Sequence, residues 1–341
     1  MKVIIKRILI GIFIGVIAFY FLTLIGTPIL FSILFNRYES PDYLITPGVV
    51  NYSEVASEYS REEIKYKSKD NILQGYYYEV DDSNALIVMS HGIHDGADSL
   101  LAEALYFIDN GYSVFSYDTS GSSNSTGKVM GFTQSLIDLE STLNYLNSND
   151  EYKDQKKLLF GFSWGAFASS AVLNFDIENI YGSVSISGYN DSDSLIVSKG
   201  VGYVGKLAYT GEFVVKAVQK SRFGNYVNYT AVDGINKSNL PVFIAHGTDD
   251  TVIRFNVDSI IANKNKITNP NVEYYISDGG NHTSLLYSNQ AITYQNIVDN
   301  ALKKMKYNEK KDYVSKVDDK LYSQLNSNLF SSILNFYNNC I

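Results

Sequence analysis

Cysteine is almost absent from this chain, and histidine and tryptophan are scarce. The single cysteine is Cys340, beside the C-terminal residue, and only four histidines and one tryptophan are present. One cysteine cannot form an internal disulfide, and it excludes a zinc site built on several thiolates. Any chemistry at neutral pH that needs an imidazole must use one of the four histidines.

An excess of basic residues is also lacking. Lys and Arg number 28 against 36 Asp and Glu, which gives a net charge of −8. Because phosphate binding needs clustered Lys and Arg, this balance argues against a nucleic-acid partner. Hydrophobic residues make up 45% of the 341 residues, enough for a sizeable core.

The N-terminus holds the one long apolar run. Lys2, Lys6 and Arg7 precede the run Ile8–Phe35, which has no charged residue. About 20 apolar residues cross a bilayer, whereas the core of a cleaved signal peptide has about 7–15. We therefore expect residues 1–36 to be a single-pass membrane anchor, with a cleaved secretory signal as the alternative. Since the basic residues come before the run, the body should lie outside the cytoplasmic membrane.

The rest of the chain divides into three parts. A polar stretch with two prolines, residues 37–61, has the composition of a linker. From 62 to 305 short β-rich runs alternate with helical patterns, which predicts an α/β fold with a mostly parallel central sheet flanked by helices. The alternation breaks at 188–239, which we interpret as a small cap insertion. Residues 306–341 are predicted to form a helical extension.

Individual elements follow from the same patterns. Strands are predicted at 72–80, 85–90, 112–117, 157–161, 180–187, 241–246 and 272–276. Helices are predicted at 99–110, 132–146 and 164–173, with weaker helical patterning at 203–220.

The sharpest chemical signal is the motif GFSWG at Gly161–Gly165, between a predicted strand and a predicted helix. A serine is a weak nucleophile at neutral pH and must be held against a base. Small residues two before and two after Ser163 allow the strained turn that exposes it at the sheet edge. The alternative is a glycine-rich turn with a solvent-exposed serine.

A base and an acid for Ser163 can be chosen from two later loops. His282 lies in DGGNH just after the last predicted strand, and we expect it to be the base. The phrase HGTDD supplies His246, which more often buttresses such a loop, and the acids Asp249 and Asp250. An acid there can orient the base and stabilise its imidazolium.

An oxyanion hole is predicted from the glycine turn at Ser90–Gly96, which follows an early buried strand. The backbone N–H groups of Ile93 and Trp164 are its candidate donors. His91 and His94 also have the spacing of a metal-binding pair, but the loop accounts for them without a metal. We therefore predict neither a metal nor an organic cofactor.

Four motifs in this order resemble the α/β-hydrolases, in the prolyl-oligopeptidase-like and esterase-like branch found in bacteria. They are HG at 91–92, YDTSGSSNSTG at 117–127, GFSWG at 161–165, and HGTDD followed by GGNH at 246–250 and 279–282. The order Ser163, Asp250, His282 is the order of that family. The resemblance covers about residues 62–300 and implies Asp250, the fourth residue after His246, as the acid, with Asp249 as the fallback.

The family's loop D-x-R-G-x-G-x-S-x-G is matched only in part. Asp118, Gly121, Ser125 and Gly127 agree with it, while Ser120 replaces its arginine and Ser123 its second glycine. These departures put substrate preference in more doubt than reaction type.

The implied activity is hydrolysis of a carboxylic ester or related acyl bond through an acyl-enzyme. A serine peptidase or amidase, an acyltransferase, and a catalytically silent surface binding module stay open as alternatives. The expected partners are a small-molecule acyl ester or peptide-like substrate and, through the N-terminal helix, the membrane. His94 and Phe162 are candidates for lining the substrate pocket, and we expect one or two cap aromatics to face the site. These aromatics are Tyr203, Tyr209, Phe213, Phe223, Tyr226 and Tyr229.

Overall fold

An eight-stranded sheet forms the centre of the computed structural model, which describes residues 2–341. The strands are β1 (Glu62–Ser68), β2 (Asn71–Tyr78), β3 (Leu86–Ser90), β4 (Ser113–Tyr117), β5 (Lys157–Phe162), β6 (Ile180–Ile186), β7 (Val242–Gly247) and β8 (Val272–Ser277). Their order across the sheet is β1-β2-β4-β3-β5-β6-β7-β8. The pairs β1–β2 and β2–β4 are antiparallel and all others are parallel, so the predicted, mostly parallel sheet is confirmed.

The central strands are apolar on both faces because both faces are covered. In β3, Leu86 and Val88 belong to one core cluster, whereas Ile87 and Met89 belong to the other. Successive side chains of a strand point to opposite faces, so a continuous apolar run is what a strand between two helical layers requires.

Eleven α-helices surround the sheet or extend from it in the described residues. They are α1 (Lys2–Leu34), α2 (Leu101–Asp109), α3 (Gln134–Ser148), α4 (Trp164–Ala171), α5 (Ser192–Val204), α6 (Glu212–Phe223), α7 (Ala231–Ser238), α8 (Asn289–Leu302), α9 (Tyr307–Val314), α10 (Asp319–Tyr322) and α11 (Ser327–Cys340). Helices α3, α4 and α7 contribute to the first core cluster, and α2 and α11 to the second.

Outside the predicted insertion, two regular elements of residues 62–305 are absent from the sequence prediction. Strand β1 lies at the sheet edge, and its charged residues alternate with buried Ile64 and Tyr66, so it has little apolar character. Helix α8 buries only Ala291 and Val298, which leaves a weak helical pattern. Both elements are defined by their neighbours more than by their own composition.

The segment predicted as a cap insertion has two structural roles. Helix α7 packs into the core through Ala231, Val232 and Ile235, so it behaves as part of the main body. Helices α5 and α6, with the 3₁₀ turn between them, pack on each other. We call residues 192–223 the cap.

Helix α1 is the one described helix that is long and apolar enough to cross a membrane. Most of its side chains are exposed, but Phe31 and Phe35 at its end are buried in the first core cluster. Beyond it, Tyr38 forms a parallel bridge to Ser122, and Gly48 donates its N–H to Asp319. The segment predicted as a linker therefore runs in contact with the body.

The C-terminal extension packs against the sheet. Helix α11 buries Leu329, Phe330, Ile333 and Phe336 in the second core cluster. The hydroxyl of the buried Tyr337 donates to the backbone carbonyl of Leu159 in β5. Its apolar stripe is thus covered by the chain's own sheet.

Candidate functional site

Ser163 lies in a strained turn between β5 and α4. Its φ of +54° and ψ of −106° belong to no ordinary region for a non-glycine residue, and its N–H donates to Ile186 O. A Cβ on Gly161 would lie 2.2 Å from the carbonyl oxygen of Gly165, and one on Gly165 would lie 1.9 Å from that of Ser90. Glycine is required at both positions because a side chain there would overlap the backbone. Small residues two before and two after Ser163 were expected for this reason, since they allow the turn that exposes the serine.

The structure brings Ser163, His282 and Asp250 together from three loops at one edge of the sheet. His282 Nε2 lies 2.8 Å from Ser163 Oγ, and His282 Nδ1 lies 2.7 Å from Asp250 Oδ2. With Nδ1 protonated, Nε2 is free to accept the proton of the serine hydroxyl. The chain of hydrogen bonds thus runs from Asp250 through His282 to Ser163.

Asp250 is buried and fully engaged. Its Oδ1 accepts the backbone N–H groups of Val252 and Ile253, each at 2.8 Å. Burial alone would raise the pKa of Asp250, but hydrogen bonds from His246 and His282 and the charge of His282 hold that pKa below its ordinary value. The carboxylate is therefore ionised at neutral pH and able to stabilise an imidazolium.

His246 contacts the carboxylate of Asp250 and buttresses the loop, as expected for a histidine at the end of a strand. Its Nε2 lies 2.8 Å from the carbonyl of Ile253 and 3.1 Å from Asp250 Oδ2. Asp249, the fallback acid, is exposed, and its backbone N–H donates to Gly280. Of the two neighbouring acids, only Asp250 reaches His282.

The two candidate oxyanion donors lie at the ends of β3 and β5. Trp164 is the first residue of α4, so its N–H points out of the helix N-terminus, where developing negative charge is favoured. Ile93 lies in the turn after β3, half-buried against the first core cluster. Among residues 2–341, no protein hydrogen bond occupies either N–H.

His91 and His94, in the loop after β3, have different environments and different partners. His91 is buried, with Nδ1 at 2.6 Å from the carbonyl of Gly92 and Nε2 accepting the N–H of Thr119. Burial lowers the pKa of His91 to about 4, so this ring is neutral and fixes the loop. His94 is exposed and meets the ring of Tyr38 edge-on at 4.3 Å. Within the described residues, no cluster of His, Cys, Asp and Glu is arranged to hold a metal.

Phe162 and His94, the candidates for lining the pocket, occupy different positions. The ring of Phe162 packs against the ring of His282 at 5.3 Å and is 8% exposed, so it supports the imidazole. His94 lies on the outer side of the oxyanion turn. Ser187 is a site neighbour that the sequence did not suggest. Its hydroxyl donates to the backbone carbonyl of His282 at 2.9 Å, and one serine after a strand gives no signal of that kind.

The partly matched loop after β4 is a structural brace. Asp118 accepts the N–H groups of Ala97 and Asn124, which joins this loop to the oxyanion turn. Ser120, at the position of the family's arginine, donates both its N–H and its hydroxyl to buried Asp138. A guanidinium still reaches this loop, because Arg37 donates to the carbonyl of Ser125 at 2.6 Å.

The cap aromatics fall into two groups. Tyr226 and Tyr229 pack on Phe175 against the first core cluster, and Phe223 is buried near Gly131. The other three, Tyr203, Tyr209 and Phe213, are exposed. The expectation that one or two of the six face the reacting groups stays a prediction.

Helix α1 ends against the residues that support the site. The ring of Phe35 meets the ring of Phe132 edge-on at 5.1 Å. The carbonyl of Phe132 accepts the indole N–H of Trp164 at 2.6 Å and the hydroxyl of Tyr189 at 3.0 Å. Together with the contact between Tyr38 and His94, this places the end of α1 near Trp164 and near the turn that holds Ile93, the two candidate oxyanion donors. No sequence signal pointed to this contact, because it joins segments about 60–130 positions apart.

Comparison with known proteins agrees with this architecture. The family model described as serine aminopeptidase, S33 matches residues 81–210, which include the oxyanion turn and Ser163. The search of curated proteins found no match.

Solved structures with a similar fold cover most of the chain. An esterase of Pyrococcus furiosus has a TM-score of 0.53 at 18% identity, over 79% of this chain and 95% of its own. Est1E of Butyrivibrio proteoclasticus, solved with ferulic acid, has a TM-score of 0.50 at 15% identity, over 71% and 96%. The α/β hydrolase GrgF of a Penicillium species has a TM-score of 0.50 at 15% identity, over 72% and 98%. The chain therefore has the α/β-hydrolase fold, as the sequence predicted.

Proposed function

We propose that this α/β-hydrolase is a serine hydrolase that cleaves carboxylic esters, with Ser163 as nucleophile, His282 as base and Asp250 as acid. The observation that carries the proposal is the continuous set of hydrogen bonds from Asp250 through His282 to Ser163, at 2.7 and 2.8 Å. A geometry of this kind is the signature of an activated serine, whatever the fold.

The reaction follows from these positions. His282 Nε2 takes the proton as Ser163 Oγ attacks the ester carbonyl, and Asp250 stabilises the imidazolium that results. The backbone N–H groups of Ile93 and Trp164 would donate to the tetrahedral oxyanion, and each such donor is typically worth about 100–1000-fold in rate. His282 then protonates the leaving alcohol. In the second half, His282 activates water, which attacks the acyl-enzyme and regenerates Ser163.

Ester hydrolysis is favoured over amide hydrolysis by the solved structures of similar fold, since the Pyrococcus furiosus protein is named an esterase. The matched family model favours a second candidate, an aminopeptidase-type activity that recognises a free α-amine. The two differ in what the acyl pocket must bind, because an α-ammonium needs an acidic or carbonyl partner and a plain acyl chain needs an apolar wall.

A pair of matched substrates separates these two activities. We expect the p-nitrophenyl ester of butyrate to give a higher kcat/KM than the p-nitrophenyl ester of 2-aminobutyrate, which differs only by the amine. The corresponding aminoacyl anilide should be turned over poorly. A preference for the amine-bearing ester, together with anilide cleavage, would establish the peptidase instead. If no substrate is cleaved and a fluorophosphonate labels nothing, the chain is a silent binding module.

We further propose that α1 is retained as a single-pass membrane anchor and is not cleaved as a signal sequence. Phe31 and Phe35 are 3% and 7% exposed in the core cluster of the main body. Cleavage before residue 36 would remove both rings and uncover their neighbours. Because Lys2, Lys6 and Arg7 precede the run, the catalytic body should be extracytoplasmic.

Protease accessibility tests this topology. Protease added to intact cells or right-side-out protoplasts should digest the body, while N-terminal sequencing of the untreated protein should give residues near Met1. Protection until lysis would reverse the orientation, and a mature chain that starts after residue 30 would show a cleaved signal.

A further inference from the structure

The cap lies alongside the apolar helix α1. The ring of Phe213, at the start of α6, lies 5.3 Å from the ring of Tyr20, and the guanidinium of Arg222, near its end, lies 5.1 Å above the ring of Phe31. These pairs are separated by nine residues on α6 and eleven on α1, or about 14 and 16 Å along the two axes. Helix α6 therefore runs beside α1 in the same direction.

The part of the cap nearest the middle of α1 exposes large apolar side chains. We call residues 203–213 the cap tip. Its Tyr203 is 88% exposed, and Leu207, Tyr209 and Phe213 are 51–54% exposed. A soluble surface rarely groups such side chains, and a group of them marks a contact with lipid or another apolar surface.

The position of Tyr20 along α1 gives the depth of the cap tip. Helix α1 has 33 residues, and a bilayer needs about 20. A span that begins at Ile4 ends near Thr23, and one that begins at Ile8 ends near Thr27, so Tyr20 lies about 4–10 Å inside the outer boundary at about 1.5 Å per residue. Phe213, in contact with Tyr20, then lies at the level where aromatic residues concentrate in membrane proteins.

The charge of the cap fits a membrane surface. The cap has five basic residues and two acidic residues, Asp193 and Glu212, in a chain whose net charge is −8. The side chains of Glu212 and Lys216 pair at 2.6 Å, which limits the charge near the cap tip. Arg222 donates one N–H to the carbonyl of Met130 and lies at the level of Phe31, beyond the end of the span and near the lipid phosphates.

Both the cap and α1 contact the candidate active site. Lys199 of α5 donates to the carbonyl of Val252, two residues after Asp250. At the other side, Phe35 contacts Phe132, which holds the Trp164 indole. The catalytic edge of the sheet is thus flanked by two elements that reach toward the lipid.

We propose that the cap tip inserts into the outer leaflet beside α1, so that the active site opens at the bilayer surface and takes an acyl ester that resides in the membrane. This inference rests on the proposed serine hydrolase activity and on the retained anchor. The exposed aromatics bind the leaflet, the basic residues bind anionic headgroups, and the acyl chain enters from the lipid side.

Depth measurement in the full-length protein tests the insertion. In a Cys340→Ser background, single cysteines at Tyr203, Leu207 and Tyr209 carry an environment-sensitive NBD label, with Ile297→Cys as the matched exposed control on α8. In liposomes of phosphatidylcholine and phosphatidylglycerol, the three cap labels should shift to the blue and be quenched by nitroxide-bearing lipids, and the control should do neither. A cap label that stays water-exposed overturns the proposal. A blue shift without lipid quenching also overturns it, since a protein surface then covers the cap tip.

A kinetic comparison tests the substrate class. We compare the rate on a long-chain ester embedded in vesicles with the rate on soluble p-nitrophenyl butyrate. In the double variant Tyr203→Gln, Leu207→Gln the ratio of the first rate to the second should fall about tenfold or more. Ile297→Gln should leave this ratio unchanged. An unchanged ratio in the double variant overturns the proposal. The serine hydrolase activity is tested separately by Ser163→Ala, which should abolish hydrolysis of both esters whatever the result for the cap tip.

Discussion

Replacing Ser163 by alanine should lower kcat by a factor of about 10⁵–10⁶ and abolish labelling by a fluorophosphonate. The reason is that Oγ is the only atom of the residue that reaches His282, at 2.8 Å, and alanine removes it. The backbone turn should persist, because the N–H of residue 163 still donates to Ile186 and the flanking glycines are unchanged. Ester hydrolysis, labelling and the melting temperature should be measured on the same preparation.

Ser57→Ala is the matched control, since Ser57 is exposed in the segment before β1. It should leave rate, labelling and stability within error of the parent. Labelling that survives Ser163→Ala, or maps to another serine, would contradict the assignment of the nucleophile. Loss of labelling in Ser163→Ala together with a large fall in melting temperature would mean that the variant reports on folding instead.

Replacing Asp250 by asparagine should lower kcat by a factor of about 10⁴. An amide at this position can turn its NH₂ group toward His282 Nδ1, which then holds the histidine in the tautomer that donates to Ser163 instead of accepting from it. The loss should be in kcat more than in KM, because the acid contacts the base and not the substrate. Initial rates with p-nitrophenyl butyrate over a range of concentrations give the two constants separately.

The neighbouring Asp249→Asn is an isosteric control one residue away. Asp249 is exposed and makes no contact with His282 in the described residues, so its replacement should change kcat by only a few-fold at most. A larger loss for Asp249→Asn than for Asp250→Asn would identify the other member of the pair as the acid.

The sheet and the edge that carries Ser163, Asp250 and His282 were predictable because their signals are local. The buried strands β3 and β5 are continuous apolar runs, and a glycine turn or loop follows each of them in sequence. Since parallel strands end at one edge, motifs after different strands converge there. Ser163, Asp250 and His282 could be placed together for that reason, although their roles stay a prediction until the variants are measured.

The arrangement of the cap side chains and the docking of α1 could not be predicted because their signals are not local. Phe35 and Phe132 are apolar residues in segments about 100 positions apart, and nothing in either segment identifies the other. Tyr203 and Tyr226 have the same residue type within one insertion, yet one is exposed and the other packs on Phe175. Composition predicted that one or two of the six aromatics face the site but could not say which of them pack beneath the insertion, and helix placement separates the two groups.

The burial of Phe31 and Phe35 bears on how this protein can be handled. Deleting residues 1–36, the usual way to obtain a soluble form of an anchored enzyme, would also remove two aromatic side chains from the interior and leave Phe132 facing solvent. The backbone carbonyl of Phe132 accepts the indole N–H of Trp164 at 2.6 Å, so the exposed ring would belong to a residue that holds Trp164 in place. The end of the hydrophobic helix is therefore part of the protein's interior, and a trimmed chain would carry its defect next to Trp164, the residue that follows Ser163.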